Sequence, residues 1–582
     1  MSLAHVSVTG SDPQLQALFA PNATVPRRVR ERASFFVFFA RTIYPQLATH
    51  RAELEQMYTA DNGRPPYDPV RLLAAQLLQT SARTGDQQAA EAMQYDRRWR
   101  FALHLQAHEN ACDPSLFPRF RQRLVQHGLS ALAFTASIEL LVAGGWLPPG
   151  GAQRVDSTHV HGVLARLTRL GCVRATIRLF LQELRTPDGL PAAGAGWWQR
   201  YGVDKVDARS TVAQLQALSL QAGTDLAQLL AWANGVALPD KARARLALLR
   251  RVFEENYEPD SPGGYRPRHA QPPGAVHTPH EPEAEWSCKN TLKDKSWVGS
   301  KVTLAETVAP RPRVRGEPTC CFLTAIVTQR ATASDKAGLR EALDQQQTRG
   351  LRPPGTLYVD GAYVSGEGLH AAQCAGRELL GPAPASPDRG HGYTAEHFDV
   401  HVEERCARCP AGHRSTNCSR LQEAATGKVT YRLEWNREVC TPCPQFAQCV
   451  SGHQPHRTLV VGEHHTLLQQ RRRDMQSAAF QEQMRQRNAI EGTGSELVRG
   501  YGLRQARHRG LAKVGQHNDF IGAACNFHRL ARRLLWEWRH GLRPDLAPVC
   551  LPSTHAPSTQ TERPAPAHPQ PVTPPVWAPS GA

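Results

Sequence analysis

Three acidic residues lie far apart in the chain, and a fold that used them together would have to gather them from two strands and a helix. Asp156 sits in Arg-Val-Asp-Ser-Thr and Asp360 in Leu-Tyr-Val-Asp-Gly-Ala-Tyr; each ends or interrupts a short apolar run that reads as a buried strand. Glu491, in Arg-Asn-Ala-Ile-Glu-Gly-Thr, belongs to a polar, helix-prone stretch. Two strand carboxylates facing a helical one offer the oxygen donors that suit Mg²⁺ or Mn²⁺ beside a phosphate.

The surrounding elements predict an α/β chain whose core has the strand order of a ribonuclease-H-like fold. A first core strand falls within 151–165 and carries Asp156. A helical insertion follows over 166–257, with the periodic runs Leu-Ala-Gln-Leu-Leu-Ala-Trp and Ala-Arg-Leu-Ala-Leu-Leu-Arg-Arg, and then an irregular connector rich in Pro, His and Gly over 258–285. Core strands resume over 286–400. Ser296–Ala305 and Thr319–Thr328 are rich in β-branched and aromatic residues and pair antiparallel, Thr356–Asp360 forms the fourth strand, and a short helix precedes a fifth at Glu378. Asp156 and Asp360 then lie side by side in one mixed sheet, closed by the helix of Glu491 within 471–542. Residues 1–150 read as a helical amino-terminal domain, with helix starts at Asp68-Pro69 and Asp113-Pro114. The Pro-, Ala-, Thr- and Ser-rich stretch 543–582 reads as a disordered tail.

The formal net charge of +17 suits a polyanionic partner, for which nucleic acid is the natural candidate, although a basic surface also serves solubility. The first residues have neither a charged n-region nor an apolar h-region, so a cytoplasmic protein is expected. The greasiest stretch, Ala131–Leu147, is interrupted by Thr135, Ser137, Glu139 and a glycine pair; it predicts a core helix and no membrane association. In the amino-terminal domain Arg119 and Arg123 are four apart and share a helix face, either along a DNA backbone or toward solvent.

Several motifs in order resemble those of bacterial insertion-sequence transposases of the DDE class, in particular the branch named for insertion sequence eleven-eighty-two. They are Tyr67-Asp-Pro-Val-Arg-Leu-Leu, Ser81-Ala-Arg-Thr, Asp113-Pro-Ser-Leu-Phe-Pro-Arg-Phe-Arg, Val155-Asp-Ser-Thr, Val359-Asp-Gly-Ala-Tyr, Arg487-Asn-Ala-Ile-Glu and Gly502-Leu-Arg-Gln-Ala-Arg-His-Arg-Gly, and they span most of the chain. The resemblance implies that Asp156, Asp360 and Glu491 hold two divalent ions, Mg²⁺ or Mn²⁺. It implies cleavage of double-stranded DNA at terminal inverted repeats and strand transfer into target DNA, by a homodimer that synapses two ends. A nuclease that cuts without joining, and a non-catalytic DNA-binding descendant, are the alternatives. The chain departs from the family where Ser300 follows Gly299 in place of Tyr, and Met484 and Val498 stand where related enzymes carry Tyr and Lys, so hairpin processing is not expected from this signature.

Glu496, five residues past Glu491, competes as third ligand but is turned to another helix face. Arg487 precedes Glu491 by four, which places a guanidinium beside the site, either forking a phosphate or pairing with Glu491. Arg499, Arg504, Arg507, Arg509 and Lys513, interleaved with glycines, read as a phosphate-tracking stretch or a solvated charge run. Phe527, Leu530, Leu534 and Trp538 repeat at helical spacing and predict core packing. Finally, a Cys-rich insertion over 401–470 has two C-x-x-C pairs. Cys406, Cys409, Cys440 and Cys443 are the first-choice ligands of a structural Zn²⁺, with Cys418, Cys449, His453 or His456 as substitutes for one of them.

Overall fold

The computed structural model describes residues 27–543, except 60–64, 107, 165–166, 185–193, 208, 262–263, 289–295, 312, 387–391, 425 and 451–453. The predicted tail beyond Arg543, residues 1–26 of the predicted amino-terminal domain and His453 lie outside the described residues.

A mixed sheet organises the chain. It is built from β1 (Gln153–His161), β4 (Glu285–Cys288), β5 (Ser296–Thr307), β6 (Leu323–Arg330), β7 (Thr356–Tyr358) and β8 (Glu378–Leu380), in the order β4-β5-β1-β7-β8, with β6 also on β5. β4 and β6 share one edge of β5: β4 pairs with Ser296–Gly299 and β6 with Ser300–Glu306. β1 runs antiparallel to β5 and parallel to β7. The predicted connector is not irregular throughout. It opens on a hairpin, β2 (Tyr257–Ser261) with β3 (Gly264–Pro267), because Pro259 and Pro267 fall where a two-stranded ribbon tolerates proline, and it closes on β4, a strand the sequence did not signal.

Alternation along β1 sorts its side chains onto two faces. Val155 packs with Ala305, Val327, Leu357 and Tyr363 under α7 (Asp335–Thr348) and α8 (Gly366–Cys374). The opposite face, with Val160, Val302, Leu304 and Ile326, joins one large core with the amino-terminal helices. Those include α1 (Pro69–Ala82), α2 (Leu116–Gln126) and α3 (Leu132–Ala143). α1 starts as expected: Asp68 caps it by accepting from Val70 N at 2.9 Å, with Pro69 in the first turn. At Asp113 the carboxylate accepts from Ser115 N instead, closing a turn just ahead of α2.

The insertion holds α4 (Arg169–Leu184), α5 (Val212–Asn234) and α6 (Asp240–Asn256), packed around a core of their own that includes Phe180, Trp197, Leu226 and Leu249. The Cys-rich segment forms β9 (Asp399–His401) with β10 (Cys406–Arg408), and the three-stranded sheet β11 (Asn417–Gln422), β12 (Val429–Glu434) and β13 (Thr458–Gly462). Three helices complete the chain: α9 (His465–Asp474), α10 (Ala478–Tyr501) and α11 (Leu511–Arg539). α10 is capped by Ser477, whose hydroxyl accepts from Phe480 N at 3.2 Å, and ends on Gly502 at φ 77°, a left-handed position suited to glycine. Phe527, Leu530 and Leu534 of α11 are buried and Trp538 packs against the same core. Among the described residues no helix is long and apolar enough to cross a membrane.

Candidate active site

The β1–β7 register brings the two aspartates level. Gln153 pairs with Leu357 and Arg154 with Tyr358, an offset equal to the separation of Asp360 from Asp156. Asp156 points to the sheet face covered by α10, since Val155 points the other way into the α7–α8 core. Its Oδ1 accepts from Ser157 N at 2.9 Å. Asp360 lies two residues past the end of β7 and caps a short turn, Gly361–Tyr363, accepting from Ala362 N at 2.6 Å, which leads the chain out of the sheet. Ser157, on the other face, is fixed by hydrogen bonds with Thr303 at 3.1 Å and Tyr363 Oη at 2.5 Å. Burial holds the Tyr363 phenol well above its ordinary range.

Arg487 on α10 stands between the three acids. Its Nη2 lies 3.5 Å from Asp156 Oδ1 and 3.7 Å from Asp360 Oδ2, and its Nη1 lies 3.7 Å from Glu491 Oε1. The guanidinium is 17% exposed, whereas Asp360 and Glu491 are 41% and 69% exposed, so the acids remain open to a ligand as large as DNA. The carboxylates thus converge on a cation. Among the described residues no three His, Cys, Asp or Glu side chains already stand in metal-ligand geometry.

Glu496 is turned away from this site. Its carboxylate is 2.8 Å from Arg529 Nη2 and 2.6 Å from Arg532 Nη2. Burial alone would raise the Glu496 carboxyl, but these two guanidinium groups hold it below its ordinary value.

Sequence reasoning missed the buried charge network behind the site. Glu306, on β5 and fully buried, accepts from Arg154 Nε at 2.5 Å, Thr493 Oγ1 at 2.7 Å and Arg529 Nη1 at 2.9 Å. Arg154 lies two residues before Asp156, and Thr493 two after Glu491. Arg154 also donates to Gln486 O at 3.1 Å, so β1 and α10 are tied together at both ends of the site. A Glu near the end of an apolar strand reads as a solvent-facing terminus, and an Arg beside Phe527 and Leu530 as a helix surface residue; only the packing pairs them.

The predicted basic residues separate into two groups. Arg499, Arg504, Arg507, Arg509 and Lys513 are all exposed, as is Arg119 on α2, and they differ in what they bond to. The loop after α10 is zipped to β1, with His161 N donating to Arg504 O at 2.8 Å and Ala506 N to His161 O at 2.9 Å. Arg504 Nη2 donates to Thr158 Oγ1 at 3.4 Å, one strand repeat from Asp156. Arg507 is engaged otherwise: its guanidinium donates to Thr84 O and Arg83 O, each at 3.0 Å, clamping the amino-terminal helices to the core. Arg123 stacks over Tyr58, 4.6 Å from the ring centre.

In the Cys-rich segment, Cys409, Cys440, Cys443 and Cys449 line one small cavity. Burial and the nearby Cys440, Cys409 and Cys443 raise the Cys449 thiol to about 11, against the pull of Arg457. Cys406 lies outside this lining, with its Sγ 3.6 Å from Glu404 Oε2.

Two stretches of the chain match family models. Residues 27–123 match a model described as Transposase domain (DUF772), and residues 408–531 one described as Transposase DDE domain. Neither spans half of the chain, and the second includes Glu491 but neither aspartate. No curated protein matches the chain. The two matches, falling on the amino-terminal helices and on the Glu491 region, support a transposase.

Proposed function

We propose that the chain is a DDE-type DNA transposase of the insertion-sequence class, resembling the eleven-eighty-two branch, with a ribonuclease-H-like core, and that it cleaves double-stranded DNA at terminal inverted repeats and joins the freed ends to target DNA. The observation that carries this reading is the convergence of Asp156, Asp360 and Glu491 on one cationic group at 3.5–3.7 Å. Oxygen donors already collected around positive charge suit Mg²⁺ or Mn²⁺, which these three carboxylates would hold. Bound there, divalent cations supply the charge stabilisation that in-line phosphoryl transfer needs at its attacking and leaving oxygens.

The chain's own residues do the rest. Arg487 forks a phosphate oxygen of the strand being cut, Arg504 fixes the adjoining phosphate from beyond Thr158, and Arg499, Arg509, Lys513 and Arg119 add contacts to the DNA backbone that position it without reading sequence. Arg507 and Arg123 contribute by holding the amino-terminal helices in place. Synapsis of two ends implies a homodimer.

The test is incubation of the protein and Mg²⁺ with labelled DNA carrying the sequences that flank its gene. Strand-transfer joints are the expected product; nicks without joints would make it a nuclease, and binding without cutting a non-catalytic DNA-binding protein. A second expectation concerns Arg487 alone. Without DNA its charge competes with metal, so Arg487→Ala should tighten Mn²⁺ binding by about tenfold, the worth of removing one like charge a few ångströms away in a solvated site. The same variant should lose strand transfer, because the phosphate loses its fork. Titration calorimetry with Mn²⁺ showing an unchanged affinity would mean that Arg487 does not occupy the metal position.

A further inference from the structure

The Cys-rich segment presents four thiols that nothing in the transposition chemistry uses. Cys409, Cys440, Cys443 and Cys449 come from three separate pieces of chain and surround a cavity of about 20 Å³. That is room for one ion or water and too little for an organic ligand or a metal cluster. All four are free cysteines, one buried and three partly buried.

The backbone around them has the turns that thiolate ligands need. In Cys409-Pro-Ala-Gly412 the Gly412 N–H donates to Cys409 O at 2.8 Å, and Gly412 adopts φ 87°, which brings the chain sharply back past the sulfur. In Cys440-Thr-Pro-Cys443 the Cys443 N–H donates to Cys440 O at 3.1 Å, and Phe446 N–H to Cys443 O at 3.0 Å. Cys449 ends the short helix Phe446–Cys449 that follows. Cys406 and Cys418 lie on strands β10 and β11 and line no part of the cavity.

We propose that Cys409, Cys440, Cys443 and Cys449 are the four ligands of one structural Zn²⁺, with Cys449 in place of Cys406. Four thiolates and no open position suit tetrahedral zinc in a structural role. The sulfurs are not gathered as a finished cage, so the ion would draw them together and complete the fold of the segment. The module matters to the rest of the chain through α9, whose Gln469 donates to Phe398 O at 2.5 Å and accepts from Val400 N at 3.4 Å; α9 leads directly into the helix of Glu491. The inference stands whether or not the chain transposes DNA.

The test is metal analysis by mass spectrometry of the full-length protein, purified under reducing conditions without chelators. About one zinc per chain is expected for a single closed four-thiolate site. Cys406→Ser and Cys418→Ser should keep it, whereas Cys409→Ser, Cys440→Ser, Cys443→Ser and Cys449→Ser should each lose most of it. If those four variants do not fold, the parent exchanged with Co²⁺ decides: intense sulfur-to-cobalt charge-transfer absorption, retained in Cys406→Ser, supports the assignment. Substoichiometric zinc in the parent, a stoichiometric metal other than zinc, disulfides mapped among the four cysteines, or zinc lost from Cys406→Ser but retained by Cys449→Ser would overturn it.

Discussion

Asp156→Asn, Asp360→Asn and Glu491→Gln are each expected to lower DNA end cleavage and strand transfer by at least about a hundredfold, since loss of even an outer-shell partner of a metal ligand costs about 10–100-fold. The substitutions are close to isosteric, and the backbone N–H groups that Asp156 and Asp360 receive, from Ser157 and Ala362, can still be accepted by an amide oxygen. A lost activity would therefore report the missing charge and not a missing fold, which thermal denaturation of each variant would verify. All three acids should fail in both steps, because one set of carboxylates serves cutting and joining. Glu496→Gln is the informative control. Its carboxylate is held by Arg529 and Arg532 on the far side of α10, so this variant should retain much more activity than Glu491→Gln. The reverse ranking would transfer the ligand role to Glu496, and normal cleavage by all three substituted proteins would place the active site elsewhere.

The parts of this arrangement that were legible in the sequence are those set by local rules. An apolar run broken by Asp marks a strand with one functional side chain, and both β1 and β7 lie where such runs fall. Asp68-Pro69 announces α1 because capping is decided within four residues. Four-residue spacing put Arg487 and Glu491 on one face, and the structure pairs them. What was not legible depends on partners distant in the chain. Glu306 and Arg529 each look like surface residues locally, yet they are 223 positions apart and bonded in the core. Regular C-x-x-C spacing pointed to Cys406, whereas chain folding around Trp435 and Phe446 brings Cys449 to the cavity instead. Arg507 looked like its basic neighbours, and only the docking of the amino-terminal helices distinguishes it. β4 is four residues long with no apolar run, and edge pairing on β5 alone defines it.

The largest effect on stability is expected from Glu306→Gln. The Glu306 carboxylate is the shared counter-ion of Arg154 and Arg529, with side-chain exposures of 0%, 6% and 3% for the three. Removing the shared carboxylate leaves the buried Arg154 without an acid partner and Arg529 with Glu496 alone, a loss of about 3–5 kcal/mol on the scale of a broken buried pair. The amide can still accept from one guanidinium or from Thr493, but its NH₂ group would face an N–H donor where an oxygen is needed. Denaturant titration should record that loss, and Glu496→Gln should cost less, because the exposed Arg532 it leaves is open to water and the buried Arg529 keeps Glu306 as its partner. The damage should also reach the chemistry. Arg154 and Thr493 sit two residues from Asp156 and Glu491, and with Glu306 neutral the tie between β1 and α10 slackens where the three acids must converge. Under conditions where Glu306→Gln remains folded, its strand transfer should therefore still fall, and added Mn²⁺ should recover part of it by drawing the carboxylates together. A variant as stable as the parent would mean that Arg154 and Arg529 find solvent or other acceptors, and the network would then have no part in holding the site.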